Sequence, residues 1–195
     1  ENNGVVKRLR GEKGTNVNIQ IKRRGLNRLI KFTITRNTIP INSIDVAMMI
    51  TPTTGFIKLN RFSAKTISEF RKETTKLLNQ GMQDLVFDLR DNPGGYLSAA
   101  ASICDDLLEK NSLIVYTKGR SRDRNEIFSS GESRLEKINL AILINEGSAS
   151  ASEIIAGAIQ DNDRGTVIGR RSFGKGLVQE EIKLSDGSAI RLTTQ

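Results

Sequence analysis

The chain has 195 residues, 30 Lys plus Arg against 22 Asp plus Glu, one cysteine, no tryptophan and no histidine. Without an imidazole, Ser-His-Asp and Cys-His catalytic centres and histidine-ligated zinc sites are excluded, and one cysteine can build neither a thiolate metal site nor an intrachain disulfide. Any hydrolytic base working near neutral pH must then be a carboxylate, a lysine or a terminal amine.

The net charge of +8 lies wholly in residues 1–36, which hold ten basic residues against Glu1 and Glu12; the remainder is neutral. This shift predicts a domain boundary near Pro40. Val5, Val6 and Leu9 follow a helical spacing that stops at Gly11. Residues 16–22 alternate apolar Val17, Ile19 and Ile21 as a half-buried strand does, 25–27 read as a turn, and 29–35 continue as the second strand of a hairpin. Helix, strand, strand is too little to fold alone and reads as the tail end of a small domain. Phe32 is the only aromatic in this basic segment, so a solvated basic face is favoured over nucleic-acid binding, which needs stacking platforms.

Residues 46–50 and 56–59 read as strands around the turn at Thr53, Thr54 and Gly55. Ser63 is placed as the cap of a helix running to Asn79, with Ile67, Phe70, Thr74, Leu77 and Leu78 on one stripe. A short apolar strand at 85–89, an Ala-rich helix at 97–109 and a strand at 113–116 follow. Residues 118–137 are charged and patternless, which predicts a loop or mobile flap. A strand at 140–144, a helix at 148–160 and strands at 166–169, 177–184 and 188–192 complete the pattern. Strand and helix alternate, which predicts an α/β core with parallel pairs and right-handed crossovers. No stretch approaches the ~20 apolar residues of a membrane span, and no charged-then-apolar leader opens the chain, so any export signal is expected to have been removed or to lie outside this segment.

Two loops at the carboxyl ends of apolar strands are candidates for chemistry, since ligand sites in open α/β sheets favour that edge. DLRDNPGG, residues 88–95, has paired glycines whose backbone N–H groups can face a ligand; taken alone it reads more readily as a tight turn. NEGSASASE, residues 145–153, places three serines at a strand-to-helix junction, where free N–H groups and the helix dipole favour developing negative charge. The segment from Ser150 to Glu153 is also a capping box, and without a base that reading stands. A base is offered by Lys175, between glycines in SFGKG: burial would strip its ammonium of water and favour the neutral form. Gln179 can reach that nitrogen only if the segment turns, because one helical turn rises ~6 Å over four residues whereas a strand covers ~13 Å.

DLRDNPGG, NEGSASASE and FGKGLVQ, in that order, resemble the carboxy-terminal processing peptidases, or tail-specific proteases, over residues 40–195. The segment containing VVKRLRGEKGTNVNIQIKR and FTITR looks like the second half of that family's PDZ domain. The resemblance implies an α/β fold, a crotonase/ClpP-like mixed sheet-and-helix core over residues 39–195 preceded by a truncated PDZ-domain remnant over 1–38. It implies a serine endopeptidase cutting near protein C-termini through a Ser-Lys dyad. Ser150 matches the nucleophile, Lys175 the general base 25 residues on, and Gln179 the residue that positions the lysine. The oxyanion donors are the N–H of Ala151 and one from Gly94 or Gly95, the choice open. The resemblance implies no metal or cofactor, a protein or peptide substrate with an accessible C-terminus, no nucleic acid, and a bacterial periplasmic or envelope location. A non-catalytic peptide-binding scaffold, or a related acyl-CoA enzyme with an enolate-binding oxyanion hole, are the competing readings; the serine-lysine pair argues against the last. Cys104 reads as a packed thiol, Asp88 and Asp91 as ion-pair partners of Arg90, and Arg170 and Arg171 are left open between surface and substrate.

Overall fold

A computed structural model describes residues 2–39, 42–120 and 123–194, in two compact units that divide between Ile41 and Asn42. The first unit holds α1 (Asn2–Leu9), β1 (Asn16–Ile21) and β2 (Ile30–Thr35), the last two an antiparallel hairpin pairing Asn16 with Thr35 and Ile21 with Ile30. The helix, strand, strand order follows the apolar spacings. Arg36, one of the ten basic residues, closes the carboxyl end of α1: its guanidinium donates to Leu9 O at 2.8 Å and Arg8 O at 3.2 Å, satisfying carbonyls the helix leaves open. No side chain described in this unit is fully buried.

The second unit is built on a five-stranded sheet in the order β3-β4-β5-β8-β9, comprising β3 (Ile44–Met49), β4 (Thr54–Leu59), β5 (Asp84–Asp88), β8 (Asn139–Ile144) and β9 (Thr166–Gly169). Only β3 runs antiparallel to its neighbour; β4, β5, β8 and β9 are parallel, as the strand-helix alternation predicts. Alternate residues Ile57, Leu59, Leu85, Phe87, Leu140 and Ile142 are buried, so one face of the sheet is covered. Three helices join this core: α2 (Thr66–Asn79), α3 (Leu97–Leu107) and α4 (Ala151–Asp161), with α3 touching both others. Phe70 of α2 and Phe87 of β5 stack at 5.2 Å, and each such fully buried side chain contributes about 2 kcal/mol of transfer free energy. Cys104 is fully buried on α3 and burial pushes its thiol up, so it is a packing residue as expected.

Four expectations change. Helix α2 begins at Thr66 with Lys65 at its N-cap, not at Ser63. The Ser63 hydroxyl instead joins a hydroxyl cluster with Ser43 at 2.8 Å and Thr66 at 3.3 Å, both buried. The expected flap contains β7 (Asn125–Phe128), which pairs antiparallel with β6 (Leu113–Thr117) around a bulge between Leu113 and Val115. This segment is anchored: Ser129, Leu135 and Ile138 are buried, Leu135 N–H donates to Asp106 O at 2.9 Å, and Arg124 lies 4.1 Å over the Tyr116 ring. Helix α4 starts three residues later than expected, leaving 148–150 as the turn that carries the candidate chemistry. The remaining strands, β10 (Gln179–Lys183) and β11 (Ala189–Thr193), form an exposed antiparallel hairpin beginning two residues after the expected start.

Candidate active site

Strands β5 and β8 are parallel neighbours with Asp88 opposite Leu143, so their following loops leave the sheet side by side. Side chains lace those loops together. Ser148 Oγ donates to Leu89 O at 2.8 Å, and Asn145 Oδ1 accepts from Asp91 N–H at 2.9 Å while its amide returns a bond to Asp91 Oδ1 at 2.9 Å. Asn92, fully buried, donates to Leu59 O on β4 at 2.9 Å, accepts from Gly94 N–H at 2.9 Å through Oδ1, and through its carbonyl accepts from Ala149 N–H and Ser152 Oγ. Asp88, also fully buried, is gripped by Arg90 through two bonds of 2.9 and 2.7 Å. Burial pushes its carboxyl up, but Arg90 and Lys58 outweigh that and hold it below the ordinary range. Asp91 therefore serves Asn145, and only Asp88 pairs with Arg90.

This lacing sorts the three serines. Ser148 and Ser152 are fully buried and spend their hydroxyl protons on Leu89 O and Asn92 O. Ser150 is half-buried and faces two cavities. Its backbone has φ 55° and ψ −111°, a conformation that costs a residue with a β-carbon about 1–3 kcal/mol. The strained strand-to-helix turn thus exists without the G-x-S-x-G sequence that usually announces one. Gly94, at φ 97°, crosses directly beside it: a β-carbon there would lie 2.6 Å from Ala149 O and 3.0 Å from Ala151 N. Gly94 N–H is taken by Asn92, whereas the N–H groups of Gly95 and Ala151 have no acceptor among the described residues. Sequence leaves the choice between the two glycines open; bonding leaves Gly95 free.

Lys175 is half-buried in a loop without regular structure that folds back over the start of α4. Phe173 N–H donates to Ser148 O at 2.9 Å, and Arg170 forms a two-pronged pair with Glu146 at 2.8 and 3.0 Å, which resolves Arg170 as a structural contact. The main tie is Glu153, read from sequence only as a cap. Its carboxylate accepts from Ser150 N–H at 2.7 Å, Lys175 N–H at 2.9 Å, Gly174 N–H at 2.6 Å and Ser172 Oγ at 2.8 Å. Burial pushes this carboxyl up, but those four donors hold it below the ordinary carboxylate range. Residues 175–178 form no turn, contrary to the expectation; the two side chains themselves span the gap and bring Lys175 Nζ to 3.4 Å from Gln179 Oε1.

The six expected site residues fall in one region. Ser150 and Lys175 both line a cavity of about 410 Å³ and a second of about 260 Å³, and Gly95 and Gln179 line the smaller one. Ser150 Oγ and Lys175 Nζ are not hydrogen-bonded to each other; the lysine's bond goes to Gln179. Among the described residues no group of His, Cys, Asp and Glu is arranged to hold a metal ion, and no helix is long and apolar enough to cross a membrane.

The sheet, the strained serine turn and the adjoining lysine loop describe an α/β protein that brings a serine and a lysine together at the carboxyl edge of parallel strands. Residues 53–195 match Peptidase family S41, and the chain belongs to that family. It is 39% identical over 189 residues to a carboxyl-terminal-processing protease of a Synechocystis species, covering 95% of this chain and 44% of that protein. It is 34% identical over 194 residues to the carboxy-terminal processing protease CtpB of Bacillus subtilis, covering 98% and 40%. Among solved structures, a photosystem II D1 C-terminal processing protease superposes with a TM-score of 0.69 at 29% identity, covering 94% of this chain and 51% of that one. The chain thus spans less than half the length of these two curated relatives.

Proposed function

We propose that residues 39–195 form part of the catalytic core of a serine endopeptidase that cuts proteins near their C-termini, with Ser150 as nucleophile and Lys175 as general base. The observation that carries this reading is the strained, half-buried Ser150 at the head of α4, sharing two cavities with Lys175 beside two unengaged N–H groups. Lys175 takes the proton from Ser150 Oγ as that oxygen attacks the peptide carbonyl. The developing oxyanion is received by the N–H groups of Gly95 and Ala151, reinforced by the positive end of the α4 dipole. The lysine returns the proton to the leaving amine, and an acyl-enzyme on Ser150 is then hydrolysed by water activated at Lys175. Attack requires Lys175 Nζ within reach of Ser150 Oγ, directly or through one water, so the lysine shares its time between the serine and Gln179.

The names of the relatives support a protein substrate with an accessible C-terminus. Parallel strands with helices on the covered face support a crotonase/ClpP-like core, and the break after Ile41 supports a separate leading unit, which we assign to a PDZ domain. An exported, periplasmic or envelope-facing location is part of the same proposal. The test is a peptidyl phosphonate probe applied to the full-length protein, with the adduct mapped by mass spectrometry. We expect labelling at Ser150. Labelling at another residue, or none in a preparation that cleaves peptides, overturns the assignment, and a protein that binds peptides without labelling or cleaving is a scaffold.

A further inference from the structure

The larger cavity is a groove with direction. Its floor is one face of α4: Ser150, Ile154, Gly157, Ala158 and Asp161 recur at helical spacing along it. Its wall is β6, which pairs with β7 along one edge only. The other edge faces α4, because Asn162 Nδ2 at the far end of the helix donates to Leu113 O at 3.0 Å. The remaining main-chain groups of that edge are available to an extended peptide.

Two positions shape what the groove takes. At Gly157 a β-carbon would meet nothing within 4 Å, so the groove is open at its middle for lack of a side chain rather than by backbone crowding. At the end away from Ser150 stands Asp161, whose carboxylate forms no hydrogen bond or ion pair with any described residue, while its neighbour Asn162 is committed to Leu113 O and Ala158 O. The groove's other acid, Glu153, stays charged but spends its carboxylate oxygens on four donors. Among the described residues lining the groove, Asp161 is therefore the carboxylate left without a partner.

Eleven helical residues separate Ser150 from Asp161, about 16 Å at 1.5 Å each. An extended peptide covers that in about five residues, and a long basic side chain spans the last part itself. Resting on the assignment of Ser150 as nucleophile, we propose that the groove between α4 and β6 binds an extended stretch of substrate and selects a lysine or arginine about three to five residues from the scissile bond, through Asp161.

The experiment walks a single lysine, and separately a single glutamate, through an otherwise uncharged quenched-fluorescent peptide, using the full-length protein. We expect kcat/KM to favour lysine about fivefold over glutamate at one position in that window, in the range of a partly exposed charge pair, and the preference to fade at high salt. Asp161→Asn removes the preference, whereas Asp163→Asn, which deletes the same charge two residues on, keeps it. Gly157→Leu raises KM for peptides long enough to fill the groove by about tenfold without lowering the melting temperature, because glycine is the weaker helix former. A flat lysine-to-glutamate ratio at every position, a preference that survives Asp161→Asn, or an unaltered KM in Gly157→Leu overturns the inference. Binding of the lysine peptides to the Ser150→Ala protein, read by fluorescence anisotropy, reports on the groove without chemistry. If that binding shows the preference while the phosphonate does not label Ser150, the nucleophile assignment has failed and the groove stands.

Discussion

Replacing Lys175 by alanine is expected to lower peptidase activity of the full-length protein by about 10⁴-fold or more and to abolish phosphonate labelling of Ser150, while leaving the melting temperature within a few degrees of the parent. Removal of a nucleophile's base costs that much because the hydroxyl keeps its proton and the remaining binding and oxyanion groups rescue only a small residue of rate. The fold is insensitive because, among the described residues, the Lys175 side chain bonds Gln179 alone, at 3.4 Å and exposed to solvent. Undiminished labelling in Lys175→Ala would sink the dyad. Gln179→Ala is a milder companion: it frees the lysine without removing it.

Replacing Glu153 by glutamine is expected to lower activity by about 10- to 100-fold, although Glu153 need not touch substrate. One carboxylate holds the backbone of Ser150 and the backbone of Lys175 at 2.7 and 2.9 Å, so it fixes the distance between nucleophile and base. A displacement of about 1 Å suffices for that loss. Glutamine keeps one acceptor oxygen and turns an amide toward the remaining donors, so the lysine loop is partly released. The pH dependence has a definite sign. The folded carboxyl is held below its ordinary value, so its stabilisation is fully present above the unfolded-state value and is lost as pH falls through the folded one. The gap in melting temperature between parent and Glu153→Gln should therefore be widest near neutral pH and close on acidification below about pH 4. A gap that is absent at neutral pH, or constant down to acid, refutes the clasp.

Much of the core was legible because burial enforces periodicity. The strands around Ile57, Leu85 and Ile142 alternate or run apolar since one face is covered, and α2 shows its buried stripe through Phe70, Thr74 and Leu77. The strand at 125–128 escaped notice because its residues are charged or exposed on a two-stranded ribbon, where Arg124 and Glu126 pair in solvent and no period-2 pattern is required. Ser63 misled for a local reason: a serine shortly before an apolar stripe is the usual cap, but here its hydroxyl is engaged by Ser43. At the site, the resemblance of the motifs to the processing peptidases pointed to Ser150, Lys175 and Gln179, but not to why Ser150 rather than Ser148 or Ser152 is accessible. That depends on Asn92 and Leu89 carbonyls some sixty residues away in sequence. Glu153 was visible as part of a capping box; its second task, across 21 and 22 residues to Gly174 and Lys175, has no local signature.

If Ser150 is the nucleophile, as proposed, its positive φ has a consequence for the design of an inactive variant meant to capture substrates. Alanine at 150 keeps a β-carbon and therefore the same uncomfortable backbone, so it holds the cavities in their working shape. Glycine relaxes that torsion and is expected to yield a protein about 1 kcal/mol more stable than the parent, yet a poorer trap, because nothing then obliges the turn to stay. In this fold the proposed nucleophile sits at a place where stability would rise if it were removed, which is how a site chosen for chemistry rather than for packing should behave.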